Sequence, residues 1–339
     1  MTTYIVSADV TSTGVLDHYD EMLVSGGTAN ATADNGDVFV YSGGRTSDTT
    51  VYADGQEQVS AGATATGTKV VAGSFQFVFV GGRASGTNVN AGGQEVVSAG
   101  GTASGTTVLS GGYADLVGTA AGTTLSGGGA YLAATASDTT VLSGGNVYVA
   151  GTASDTTANA GTVTIAGTAS ATTVNSGGAE TVAGCVTIAT TVNSGGTEIV
   201  SAAGTASSTT VKSGATVAVS SGGTAIGMTL SAGGSAGVSA GGTAIATTVK
   251  SGGVETVWSG GTDSNTTVSS GGTETVSSGG TAVAAAVSAG GTLDVYGTAG
   301  STTLSGGALW VQSGGVISGA TVNSGRLLCP LAAWPAAPR

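Results

Sequence analysis

All seven glutamates of this chain, Glu21, Glu57, Glu95, Glu180, Glu198, Glu255 and Glu274, stand six residues after a valine. A carboxylate repeated at one register is the raw material of a cation ladder, because hard divalent ions take several oxygen ligands. Glu180 with Glu198 and Glu255 with Glu274 are the pairs that successive repeats would bring together. The plainer counterpart is a solvated acidic face that discourages unwanted stacking. Strand alternation sets this column on the same side as the aliphatic position two residues on, yet burying stacked carboxylates is costly. The expectation is therefore a corner or bulge between the two columns, with the glutamates facing solvent.

Other chemistry has little to work with. Gly233-Gly234-Ser235-Ala236-Gly237 spells G-x-S-x-G, but such a match is expected by chance among 63 glycines and lacks the strand-turn-helix context of a nucleophile elbow. His18 is the only histidine, about eleven repeats from that serine, and reads as a surface residue of the first repeat. Lys69, Lys212 and Lys250 do not form the basic groove of a β-helical polysaccharide lyase. No catalytic, cofactor-binding or metal-binding residue is assigned, and the calcium-binding nonapeptide array of RTX proteins is not present. The reading is non-enzymatic.

The elements that position these residues follow from composition and period. Only 8% of residues are charged while 40% are apolar, the reverse of a disordered chain, and glycine does not fall at every third position as in collagen. A net charge of −12 with seven basic residues excludes nucleic acid and anionic membrane as partners. No run approaches the roughly 20 apolar residues of a membrane span.

The repeat reads T-T-V-x-x-G-G-x-x-x-x-V-x-x-G-G-T-A-x. Its key column is Val15, Ala33, Val51, Val70, Val89, Val108, Leu125, Val141, Ala158, Val174, Val192, Val211, Leu230, Val249, Val268, Val287, Leu304 and Val322, at steps of 16 to 19 residues. Eight residues on lies a second aliphatic column, with Leu23, Val59, Val78, Val97, Leu116 and Val257 among its members. Fourteen residues on lies a small one, as at Ala29, Ala65, Ala84, Ala244 and Ala282. Gly-Gly pairs separate the columns, and a third corner precedes the key column by three residues, where Asp48, Gly67, Asp138, Ser208 and Asn265 suit turns. Three turns and three short inward-facing segments predict one rung of a coil. The fold class is all-β, a single-stranded parallel β-helix of about 18 rungs with triangular cross-section, roughly 85 Å long at about 4.8 Å per rung. One rung cannot offset its own ordering entropy, so stability must come from stacking.

The four steps from Val108 to Val174 are 17, 16, 17 and 16 residues, shortened largely at the second Gly-Gly corner, which predicts a narrower coil there. Cys185 and Cys329 lie more than seven rungs apart, on the order of 35 Å, so no intrachain disulfide is expected. Thr-Thr pairs give one outward hydroxyl ladder, where Thr-x-Thr would give the two that an ice-binding face uses. The expected organisation is an N-terminal cap at 1–14, the array at 15–322, and a non-repetitive tail at 323–339 that holds Pro330, Pro335 and Pro338.

These columns, above all S-G-G-T-D-S-N-T-T-V-S-S-G-G from Ser259 to Gly272, resemble the AIDA-type repeats of autotransporter adhesin passengers. The resemblance runs from about Val15 to Val322. It implies a bacterial cell-surface β-helix mediating self-association, aggregation, adherence and biofilm formation. It also implies O-heptosylation on Ser and Thr. The partners it brings are other copies of the chain, host or bacterial surface glycans, and a heptosyltransferase. A structural spacer that presents another module is the alternative. The opening residues MTTYIVSADV lack the basic and apolar stretches of a secretory leader, and no translocator barrel is read, so the export route is left open.

Overall fold

The computed structural model describes residues 3–8, 10–15 and 20–329. They fold as two compact units, 1–170 and 171–339, and among the described residues there are 51 strands and no helix. Each unit is a parallel β-solenoid with three strands per turn, together making about eighteen turns.

One turn of the second unit shows the construction. The two-residue strand Thr248–Val249 forms side C, the four-residue strand Val254–Val257 forms side A, and the three-residue strand Thr262–Ser264 forms side B. Each pairs in parallel with its equivalent one turn on: Val249 with Val268, Val257 with Val276, Thr262 with Thr281. Side chains alternate in and out along every strand, so the inward residues are those the repeat columns marked. The key column from Val51 to Leu304 is buried, as are the second aliphatic column and the alanines of the third. Val322 is 46% exposed, because it lies on the last described turn.

The corners explain the glycine pairs. The first glycine of a pair takes the left-handed conformation, with φ of +76° at Gly260 and +74° at Gly271. The second is held against the preceding turn: a Cβ on Gly272 would sit 2.5 Å from the carbonyl oxygen of Val249. The third corner is left-handed as well, at Asp48, Gly67, Asp138, Ser208 and Asn265.

The short steps lose residues at corners, not in strands. Val97 to Thr102 becomes Leu116 to Thr119 one turn later, a loss of two residues between sides A and B with the pairing of both strands kept. The 16-residue steps lose one more between sides C and A, as between Leu125 and Gly129.

Three positions near the N-terminus differ from the column reading. In the strand Glu21–Ser25 the inward residues are Met22 and Val24, so Leu23 is not in the second aliphatic column. Glu21 pairs with Asp37 on the outward register, while Met22 leads through Val38 to Glu57. Ala33 aligns with Thr50, and it is Asp34 that aligns with Val51. The first turns are offset by one residue, a slip that exchanges inward and outward positions. Strands Thr3–Val6 and Thr11–Val15 already pair with the coil, and the final strand Thr321–Leu328 pairs back onto Thr303–Val311.

Candidate functional site

Glu21 faces outward as expected, but the other six glutamates do not face solvent. Glu57, Glu95, Glu180, Glu198, Glu255 and Glu274 are fully buried inside the coil, as the second residue of side A. No bulge lifts them out, since strands such as Val254–Val257 and Thr273–Val276 pair residue for residue with Glu255 opposite Glu274. What makes burial tolerable is a second inward column. The first threonine of each Thr-Thr pair turns inward at the corner, as at Thr106, Thr172, Thr190, Thr247 and Thr266, while the second faces out; Thr68 and Thr87 hold the same inward position ahead of Lys69 and Asn88.

Each buried glutamate except Glu274 lies between inward threonines from two successive turns. Thr247 Oγ1 donates to Glu255 Oε1 at 3.1 Å and Thr266 Oγ1 to Glu255 Oε2 at 3.4 Å. Glu57 is held best, accepting from Thr46 at 2.6 Å, Thr68 at 2.7 Å and the Gln76 amide at 2.7 Å. Gln76 takes the glutamate position in its own turn and accepts from Thr87 at 2.8 Å, so the chain of bonds continues. Hydroxyl donors from two turns are the signal the sequence carried beside every inward glutamate but Glu274, where the second threonine is replaced by Ala285.

Elsewhere hydroxyls do not offset the loss of water. Burial raises Glu95 to about 7 against the pull of Thr106 and Thr87, and neither oxygen makes a hydrogen bond of full geometry. Stacked Glu180 and Glu198 are raised to about 7 and about 8; burial is the main cause for both, and Glu198 also feels the charge of Glu180. The densest group is Glu255, Asp263 and Glu274. Asp263 occupies the alanine column between Ala244 and Ala282, fully buried, a substitution within the columns that sequence reasoning passed over. Burial raises it to about 6, and burial plus mutual repulsion raises Glu255 and Glu274 well above the carboxylate range. Lys250 is exposed. With no cation facing them, all three acids are pushed toward their protonated forms, and they do not offer the outward cation ladder. Among the described residues no group of three His, Cys, Asp or Glu side chains is arranged to hold a metal ion.

The remaining candidates lie apart. Ser235 opens the outward register of strand Ser235–Val238, its hydroxyl 3.4 Å from Thr216 Oγ1 and from the Ala215 carbonyl oxygen, with strand following where an elbow needs helix. His18 and the tail prolines lie outside the described residues. Neither Cys185, which is buried, nor Cys329, which is exposed, forms a disulfide.

The outer surface divides by side. Side C presents the outward threonine of each Thr-Thr pair, the single ladder read from the sequence. Side B was missed: its Thr-Ala-Ser strands place Thr135, Thr152 and Thr168 in one outward row and Ser137, Ser154 and Ser170 in a second. Side A of the first unit carries aromatic residues, including Phe75, Phe77, Phe79, Tyr113, Tyr131 and Tyr148.

Residues 218–272 match the family described as adhesin of bacterial autotransporter system, probable stalk. Among solved structures, a crystal structure of a TibC-catalysed, hyper-glycosylated TibA fragment is similar over 97% of this chain and 94% of that one, at 29% identity and a TM-score of 0.50. The Dettilon tailspike protein aligns over 94% of this chain and 61% of that one, at 11% identity and a TM-score of 0.17, too low to carry fold or function across. No curated protein matches in sequence. The family match over residues 218–272 and the TibA likeness over nearly the whole chain both support AIDA-type repeats of the kind found in autotransporter adhesin passengers.

Proposed function

We propose that this chain is the repeat region of a bacterial cell-surface adhesin that makes cells aggregate by associating with copies of itself, supporting adherence and biofilm growth. The family and fold point to a structural, adhesin-type protein. The observation that carries the finer reading is the division of surface and interior: the glutamates from Glu57 to Glu274 are turned inward, and long rows of hydroxyls are turned outward. Many weak hydrogen bonds repeated at one spacing add up along a molecule, as in multivalent binding. The same rows are acceptors for O-linked sugars, and the hyper-glycosylation of the TibA fragment supports a heptosyltransferase as a partner of this chain too. The family implies a cell-surface or extracellular setting.

Display of the chain on cells that do not otherwise aggregate is expected to make them clump and settle. Unchanged settling with the chain demonstrably on the surface overturns self-association. It would favour the second reading, a spacer that presents another module, which the family's description as a probable stalk supports.

A further inference from the structure

The aromatic residues are not spread over the coil. Every described one except Tyr52 comes from a side-A strand or the residue directly after one. They concentrate in the first unit, where a three-ring row on one strand is followed by single rings on later turns. Phe75, Phe77 and Phe79 stand in a row, adjacent centroids 5.6 and 6.3 Å apart with planes within 10° and 14° of parallel. Tyr131 and Tyr148 stack across adjacent turns at 5.8 Å. Tyr113 leans over Gly129, where a Cβ would meet its ring at 3.3 Å, so the missing side chain lets the ring lie down and join the surface to Tyr131. Phe75, Phe79, Tyr113 and Tyr148 remain between 37% and 42% exposed.

Between the rings stand polar groups held in place. The Gln58 amide donates to Gln56 Oε1 at 3.1 Å, and the Gln56 amide to Asp37 Oδ2 at 3.0 Å. Gln94 separates Phe75 from Tyr113 in the outer row. The six-ring patch carries one charge, Asp115, and no lysine or arginine.

We propose that this face binds a neutral carbohydrate chain. Parallel strands about 4.8 Å apart make a flat platform, which suits an extended polymer and not a small molecule needing a concave pocket. Sugars present apolar C–H faces ringed by hydroxyls; aromatic rings take the first, and fixed amides, the tyrosine hydroxyls and Asp115 take the second. Charge selects the neutral class, because the patch offers no cation to an anionic polymer and the chain carries a net −12. A protein partner would be better met by many long aliphatic side chains, whereas the outward neighbours here are mostly Ser, Thr, Ala, Gly and amides, with Val96 and Val117 as aliphatic exceptions. This rests on the adhesin reading only for its biological setting.

The probes are cellohexaose, maltohexaose and a heparin hexasaccharide, titrated into the purified chain by ligand-observed saturation-transfer NMR and tyrosine fluorescence. One or both neutral hexasaccharides are expected to bind with transfer to ring-facing C–H protons. The double variant Tyr131→Thr, Tyr148→Thr installs at that column the residue that Thr164 already supplies, and so keeps the strand. It should weaken binding about tenfold or more with an unchanged circular dichroism spectrum. The proposal is overturned if neither neutral sugar binds at millimolar concentration, if heparin binds in preference, or if the variant binds as well as the parent. It is also overturned if the variant loses self-association in sedimentation while sugar binding is nil, which makes a second copy the occupant. Cells that still clump with the variant would leave the adhesin function standing apart from this face.

Discussion

The buried acids are not equivalent, and their hydrogen bonds sort them. Glu57 has three donors aimed at it and acts as an acceptor that satisfies other buried groups. Glu57→Ala strands two hydroxyls and an amide, so the urea midpoint should fall by an amount worth about 2–4 kcal/mol. Asp263 is the opposite case, an acid in a column of alanines with two glutamates beside it. Asp263→Ala restores the side chain its neighbours carry and is expected to stabilise the chain by about 2 kcal/mol at pH 7.5. The gain should shrink as pH falls through about 6 and vanish below 3.8, where the acid is protonated in folded and unfolded states alike. A loss of stability at pH 7.5 would show that Asp263 is a required member of the group.

At the scale of the strand and its corners, the two glycines of a pair answer different constraints. Gly271 supplies a left-handed backbone, a conformation that Asp54 also adopts at the matching corner and Ala203 at the corner between sides A and B. Gly272 supplies room, since any side chain there points into the carbonyl of Val249 one turn earlier. Gly272→Val should therefore cost about 2–3 kcal/mol by chemical denaturation, whereas the adjacent outward Thr273→Ser should cost less than about 0.5 kcal/mol. Equal effects would mean that the turns are free to shift apart.

For the molecule as a whole, stability should decline from acid to alkaline pH. Glu95, Glu180 and Glu198 hold protons in the folded coil up to about 7, 7 and 8, and Asp263 to about 6, while the unfolded chain releases them near 4.5 and 3.8. Stability contributed by these raised groups is complete below the unfolded values and is lost as pH climbs through the folded ones, because the folded state then binds more protons than the unfolded. The melting temperature is expected to drop by about 5–10 °C between pH 5 and pH 9, more in the second unit, which holds Glu180, Glu198, Glu255, Asp263 and Glu274. A flat or rising profile would contradict the buried column.

The sequence by itself determined the period, the three corners and the aliphatic interior. Each is a local rule applied repeatedly: valine and alanine face in, glycine or a short polar residue turns the chain, and stacking like upon like fixes the register. It also determined that Thr-Thr presents one hydroxyl outward. Only the tertiary structure decided where the glutamates go. Strand parity pointed inward and the cost of burial pointed outward, and the balance turned on threonine hydroxyls that arrive from two successive turns, in residues eight before and ten or eleven after Glu95, Glu180, Glu198 and Glu255. The one-residue offset at Glu21 and the gathering of aromatic rings on one side of the first unit were likewise decided there. Both depend on which residues of different turns lie side by side, a relation that distance along the chain does not display.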